Sequence, residues 1–202
     1  MKETEKRTGL SQDEARRLKS RLDRQYERIS VVPRTVVVKV DNDDFSPNPD
    51  ALVDIKTKLV GSETLLSVKY GSWHGNTARQ EHEVQFRRAD LDSLLAILKL
   101  FGYSKFIVLS TVRTTWAAPG VSITLDEYQQ LGKALFEVEL TEKVQDEALI
   151  DHTFTALDIQ SMDSEQTIDF ISSLNQAREI QVDLDNIEVA TLADTILAGH
   201  SA

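Results

Sequence analysis

The chain has 202 residues, no cysteine, 41% hydrophobic residues and a formal net charge of −10 from 23 basic and 33 acidic side chains. It can bury the core of one domain with an appendage, and the lack of cysteine excludes disulfides, thiolate zinc sites and cysteine nucleophiles. The acidic balance argues against a protein that binds nucleic acid mainly through phosphate contacts, but it does not exclude a locally basic pocket.

No stretch approaches the roughly 20 apolar residues of a membrane-spanning helix. The first 30 residues are charged throughout and lack the apolar region of a secretory signal. We therefore expect a cytoplasmic protein that does not bind membranes, and the absence of cysteine fits a reducing compartment.

The N-terminal part of the chain predicts one helix followed by several strands. Ser11 and Glu14 form a capping-box pattern at the start of a helix predicted over 11–29. A strand at 35–40 follows, and then a loop at 41–50 with two prolines and four aspartates. Further strands are predicted at 51–60, 64–70 and 79–87, with a hairpin connection at 71–78.

The rest of the chain predicts a helix, three strands and a helical end. The helix over 90–101 is amphipathic and is followed by Gly102. Strands are predicted at 104–116, 120–126 and 134–141, and helices at 147–155, 164–177 and 187–198. We therefore expect an α+β fold with a β-rich domain at 1–145 and a C-terminal helical extension at 146–202.

Charged residues alternate along several predicted strands. Glu137 and Glu139 are separated by Val138 and flanked by Phe136 and Leu140, so the charges share one face and the apolar side chains the other. Such a face is usually the solvent side of an antiparallel sheet. Four strands with separate cation and carboxylate pairs favour the alternative, in which the charged faces surround a polar cavity and helices cover the apolar outside.

Over about residues 3–141 the sequence resembles the CYTH superfamily, the triphosphate tunnel metalloenzymes. Its opening ExExK motif is matched by Glu3 and Glu5, with Arg7 in place of the lysine. A basic pair follows on a strand, where Lys56 and Lys58 stand in place of the usual arginines.

The later motifs of that family also occur in order. The LTxK-like strand ends at Lys69, and Thr111 with Arg113 matches KxR without its lysine. Between these two strands, RxExE is matched by Arg79, Glu81 and Glu83. After them, a strand ending in an aspartate is matched at Asp126, and the final ExE is matched by Glu137 and Glu139.

The resemblance implies an eight-stranded antiparallel β-barrel tunnel that binds a linear triphosphate. It also implies divalent cations, Mg²⁺ or Mn²⁺, and we expect two ions per tunnel. The implied triphosphate-binding cations are Arg7, Lys56, Lys58, Lys69, Arg79 and Arg113. The implied catalytic, metal-binding carboxylates are Glu3, Glu5, Glu81, Glu83, Glu137 and Glu139. Asp126 is implied as a metal ligand, an orienting residue or a turn residue.

Three functions are compatible with the sequence. A metal-dependent triphosphatase is favoured, with inorganic triphosphate as substrate before thiamine or nucleoside triphosphates. A class IV adenylyl cyclase and a non-catalytic module that binds triphosphate or polyphosphate are the alternatives, the latter because of Thr111 and the Lys56/Lys58 substitutions. The expected partner is a small-molecule triphosphate and neither nucleic acid nor membrane. The C-terminal helices could close one tunnel mouth, form a homodimer contact or fold as a small bundle.

Overall fold

The computed structural model describes residues 2–48, 50–71, 79–141, 144 and 146–199. Its strands are β1 Lys2–Glu3, β2 Glu5–Ser11, β3 Glu27–Lys39, β4 Val53–Val60, β5 Glu63–Tyr70, β6 Arg79–Arg87, β7 Lys105–Ala118, β8 Val121–Tyr128, β9 Lys133–Leu140 and β10 Gln181–Asp183. Its helices are α1 Gln12–Gln25, α2 Leu91–Leu100, α3 Ala148–Ala156, α4 Ser164–Asn175 and α5 Val189–Gly199. The α+β prediction is confirmed, and the predicted hairpin connection lies outside the described residues from position 72 to 78.

The strands form one large antiparallel sheet in the order β1-β6-β5-β4-β3-β7-β8-β9-β2, and β10 pairs with β7. The prediction of a closed eight-stranded barrel is wrong, because this sheet is not closed. Closure of a sheet into a barrel requires its two edge strands, here β1 and β2, to pair with each other. Here the N-terminal segment divides at Thr4, so that two residues pair with β6 and the seven of β2 pair with β9.

Helix α1 ends earlier than predicted, and β3 begins earlier. The capping box of Ser11 and Glu14 is confirmed. The helix stops at Gln25, and β3 runs from Glu27 to Lys39 through Pro33. Proline lacks an N–H and is confined to positions where a strand needs no donor on one edge. Up to Pro33, β3 pairs with β7 alone, and its pairing with β4 begins at Arg34.

The convex face of β8 and β9 is apolar and is covered by α1 and α3. Ile123 and Phe136 are fully buried there, against Leu22 of α1 and Phe154 of α3. The rings of Phe136 and Phe154 meet edge to face with centroids 5.4 Å apart. Burying large side chains of this kind stabilises a fold by about 1.5–3 kcal/mol each, so this layer anchors the sheet.

The C-terminal helices pack onto the same sheet. Leu192 of α5 shares a core with Leu95 of α2 and Leu59 of β4. Leu174 of α4 shares another with Ile107 of β7. The division of the chain at residue 145 stays a prediction. No helix in the described ranges is both long and apolar enough to cross a membrane.

The packing of α4 on β2 depends on a missing side chain. A Cβ added at Gly9 would overlap the ring of Phe170. We expect Gly9→Ala to lower the free energy of unfolding by about 1–3 kcal/mol through overpacking. Denaturant unfolding measures this, and in a Phe170→Ala background the cost of Gly9→Ala should largely disappear. Equal losses in both backgrounds would contradict the packing of α4 on β2.

Candidate functional site

The concave side of the sheet forms a cavity of about 290 Å³ to which each of the strands β2–β9 contributes side chains. Alternation explains its composition, because the residues that point away from the apolar convex layer point into it. Most predicted site residues line it: Glu5, Arg7, Lys56, Lys58, Lys69, Glu81, Arg113, Asp126, Glu137 and Glu139. Glu83 lies beside the cavity, paired with Lys58. The structure does not describe the side chains of Glu3 and Arg79.

Asp126 is the centre of the first charged network in the cavity. Asp126 is 3% exposed, and its carboxylate accepts two hydrogen bonds from Arg113, at 2.9 Å from Nε and 2.5 Å from Nη2. Arg34 Nη2 donates to the same carboxylate at 2.7 Å. Arg113 Nη2 also donates to Glu137 at 3.1 Å. Paired N–H donors of this kind fix both the position and the orientation of a carboxylate.

Glu81 is the centre of a second network, on β4, β5 and β6. Its carboxylate accepts a hydrogen bond of 2.5 Å from the hydroxyl of Ser67 and lies 3.4 Å from Lys58 Nζ and 3.7 Å from Lys69 Nζ. Burial opposes the charge of Glu81, but the Ser67 hydroxyl and the two ammonium groups lower its pKa overall. Lys58 also donates to Glu83 at 2.7 Å. These basic side chains are therefore held in place by carboxylates.

Carboxylates are concentrated where β2 pairs with β9. Glu5 lies directly opposite Glu139, and Arg7 lies directly opposite Glu137. Arg7 forms ion pairs with Glu5 and, at 3.7 Å, with Glu137. Like charges placed opposite each other destabilise a strand pair unless positive charge lies near them. This part of the cavity is therefore suited to a further cation.

The charges of the cavity shift the pKa values of its buried groups. Burial alone would raise the pKa of Glu137, but Arg7, Arg113, Lys69 and Lys56 lower it to about 2. Burial, with Asp126 and Glu137 nearby, raises the pKa of Tyr128. Glu137 is therefore ionised at neutral pH, and the Tyr128 hydroxyl keeps its proton.

Several cavity residues are not predicted by the sequence pattern. Arg34 precedes the apolar run Val36–Val38, and its burial lowers the pKa of its guanidinium. Asp54 is 6% exposed and lies 3.1 Å from Lys56. Its i, i+2 spacing from Lys56 was a usable signal, because it extends the alternation already noted. Lys39 and Asp41, paired at 2.5 Å, also line the cavity.

The described cavity lining is balanced in charge. Seven basic side chains face seven carboxylates: Arg7, Arg34, Lys39, Lys56, Lys58, Lys69 and Arg113 against Glu5, Asp41, Asp54, Glu81, Asp126, Glu137 and Glu139. A polyanion entering this cavity would meet these basic groups. It would also meet carboxylates that repel it unless cations accompany it.

The donor chemistry of the cavity suits a hard divalent cation. Glu5, Glu137 and Glu139 offer oxygen ligands on neighbouring strands, which Mg²⁺ and Mn²⁺ prefer. Among the described residues, no three His, Asp or Glu side chains are already gathered as a ligand set. Since Arg7 pairs with both Glu5 and Glu137, a metal would have to draw these carboxylates away from it.

The chain matches no protein-family model and no curated protein. Its fold resembles that of the PH1012 protein from Pyrococcus horikoshii, with a TM-score of 0.60, 12% identity, and coverage of 83% of this chain and 98% of that one. A candidate adenylate cyclase from Bacillus halodurans has a TM-score of 0.56 and 16% identity, with coverage of 80% of this chain and 94% of that one. A Hippeastrum protein described as having a dominant triphosphatase activity has a TM-score of 0.51 and 15% identity, with coverage of 80% of this chain and 90% of that one. At these identities the likeness shows a shared fold alone, and that fold is consistent with the CYTH type.

The depressed pKa of Glu137 predicts a loss of stability in acid. A carboxylate whose pKa falls on folding stabilises the protein above its unfolded pKa, and this stabilisation is lost as the pH falls from about 4.5 through about 2. The contribution is up to about 3 kcal/mol. We expect Glu137→Gln to reduce the slope of the unfolding free energy against pH in this window, measured by denaturant unfolding. The exposed control Glu188→Gln should keep the wild-type slope, and an unchanged slope in Glu137→Gln would contradict the charge assignment.

Proposed function

We propose that this protein is a metal-dependent phosphohydrolase that binds a linear triphosphate in the cavity and hydrolyses its terminal phosphoanhydride. The observation that carries the proposal is the cavity itself, in which basic side chains from five strands, β2, β3, β4, β5 and β7, converge on one volume. The CYTH-type fold supports it, as does the triphosphatase activity described for the structurally similar Hippeastrum protein.

The basic side chains would bind the phosphate chain. A guanidinium can donate two N–H groups to phosphate oxygens, whereas an ammonium acts as a point charge. Arg113 lies on β7, and Lys58 and Lys69 lie on β4 and β5, so phosphates between them would be held from several sides. Because carboxylates already position these cations, little side-chain entropy would be lost when the substrate binds.

The carboxylates would hold the metal. A triphosphate carries about four negative charges, and the balanced lining offers no surplus positive charge to neutralise them. Glu5, Glu137 and Glu139 are the candidate ligands among the described side chains, and Glu3 joins them by resemblance. Bound there, Mg²⁺ or Mn²⁺ would supply the charge that neutralises the phosphates and lower the pKa of an attacking water.

Inorganic triphosphate is our first choice of substrate because the charged lining requires nothing beyond a phosphate chain. The cavity also has an apolar part, formed by Val36, Val38, Leu109 and Leu135. Thiamine or nucleoside triphosphates could place their organic part there. A panel of these substrates with each metal separates the options, and analysis of the ATP product separates hydrolysis from cyclisation.

We expect the purified protein to release orthophosphate from inorganic triphosphate in the presence of Mg²⁺ or Mn²⁺. Glu137→Gln and Glu139→Gln should each lower the rate by about 100-fold or more, because changes to groups that merely support metal ligands already cost 10–100-fold. The control Glu63→Gln, on an exposed position of β5 outside the cavity, should keep the wild-type rate. Release that is unaffected in both cavity variants would contradict the assignment of the carboxylates.

A binding module without catalysis is the second candidate. The observation that favours it is the pairing of the cavity carboxylates with cations, together with the lack of a gathered ligand set among the described residues. Calorimetric binding of inorganic triphosphate without turnover of any triphosphate would favour this candidate over the hydrolase.

A further inference from the structure

Arg34 and Thr111 face each other in the wall of the cavity. Arg34 on β3 is directly opposite Thr111 on β7, and both side chains line the cavity. Side chains directly opposite on one face of an antiparallel pair have Cβ atoms about 5 Å apart. A single small group could therefore contact both.

Both side chains have buried polar atoms without a partner in the described part of the structure. These atoms are Arg34 Nε and Thr111 Oγ1. The Arg34 side chain is 11% exposed, and Thr111 is 5% exposed. Buried polar groups are normally hydrogen-bonded, so two orphaned groups on facing positions indicate that something else completes them.

The chemistry of the two groups selects an acceptor. A guanidinium N–H can only donate, and a threonine hydroxyl can donate as well. Arg34 Nη2 is already bound to Asp126 at 2.7 Å, which fixes the guanidinium in the wall of the cavity. A neutral acceptor would leave the charge of Arg34 shared only with Asp126, which also pairs with Arg113. An oxyanion satisfies the two donors and adds negative charge where two guanidiniums meet.

We propose that Arg34 and Thr111 form a paired contact for one phosphate oxygen of the bound substrate. This rests on the proposed function, since it assigns two more residues to the same phosphate-binding cavity. In the KxR motif that this strand resembles, a lysine stands at the position of Thr111. Here Arg34 of the neighbouring strand supplies the positive charge, and the Thr111 hydroxyl is a second donor. Arg34 acts as a substrate-binding residue and also positions Asp126.

The test is calorimetric titration of the full chain with inorganic tripolyphosphate, with and without Mg²⁺. Arg34→Gln should weaken binding about 10-fold or more, and Arg34→Lys should weaken it less because it keeps the charge and loses the fork. Thr111→Val should weaken binding about threefold to tenfold, since it removes one donor to a charged acceptor. The double variant should lose less than the product of the single losses, because both groups contact one oxygen.

Thr114→Val is the matched control for the hydroxyl. Thr114 lies on the same strand, is fully buried and also has an unpartnered Oγ1, but it does not line the cavity. Both threonine variants should unfold at similar temperatures without ligand, and only Thr111→Val should change the affinity. A purely structural role predicts unchanged affinity in Thr111→Val.

The outcomes separate this inference from the proposed function. If the wild-type protein binds tripolyphosphate and Thr111→Val binds it equally well, the paired contact is wrong and the proposed function stands. If the wild-type protein neither binds nor hydrolyses tripolyphosphate or any other triphosphate, both are overturned. Weaker binding in Thr111→Val and Arg34→Gln, with Thr114→Val unchanged, supports the paired contact.

Discussion

Opposite charges buried against one another on the concave face constrain the whole sheet. Asp126 is almost completely buried, and a buried carboxylate without a partner would cost several kcal/mol. Its partners Arg34 and Arg113 come from β3 and β7, so three strands must keep one register for the network to form. A slip of one of these strands by one residue would turn its charged side chains to the apolar convex face. The convex core and the concave charges therefore specify the same pairing.

The charge balance of the cavity changes how the net charge of −10 is understood. Because the described lining contains as many basic as acidic groups, the negative total belongs to the rest of the chain. An acidic protein can therefore present a concentrated set of cations to a small polyanion. The same balance explains why a divalent cation is part of the proposal, since a triphosphate must be neutralised by charge that the lining does not supply.

The sequence predicted those parts of the site in which alternation is unbroken. Glu137 and Glu139 have apolar residues between and beside them, so their shared face could be assigned from period two alone. The helix starting after Ser11 was likewise marked by local capping chemistry. Arg34 was not predicted, because the valine run after it is apolar on both faces and gives no sign of which side faces the cavity. Its position in the cavity follows only from its pairing with Thr111, on a strand more than 70 residues away in the sequence.

Boundaries set by pairing between distant strands were also beyond local reasoning. Tyr26–Ile29 fits the apolar spacing of α1, yet these residues leave the helix because β7 is long enough to pair with β3 from Glu27 onward. β10 has three residues and exists only as a partner of β7. The open sheet has the same origin, since the division of the N-terminal segment at Thr4 depends on where β6 and β9 lie.

We propose that the carboxylates of β2 and β9 hold a divalent cation beside a phosphate chain. Anomalous X-ray scattering from crystals of the full chain, grown with Mn²⁺ and a non-hydrolysable triphosphate analogue, tests it directly. We expect a manganese peak within coordination distance of Glu137 or Glu139, with the analogue between that peak and the basic side chains of the cavity. An analogue bound in the cavity without manganese, or manganese bound only outside the cavity, would contradict it.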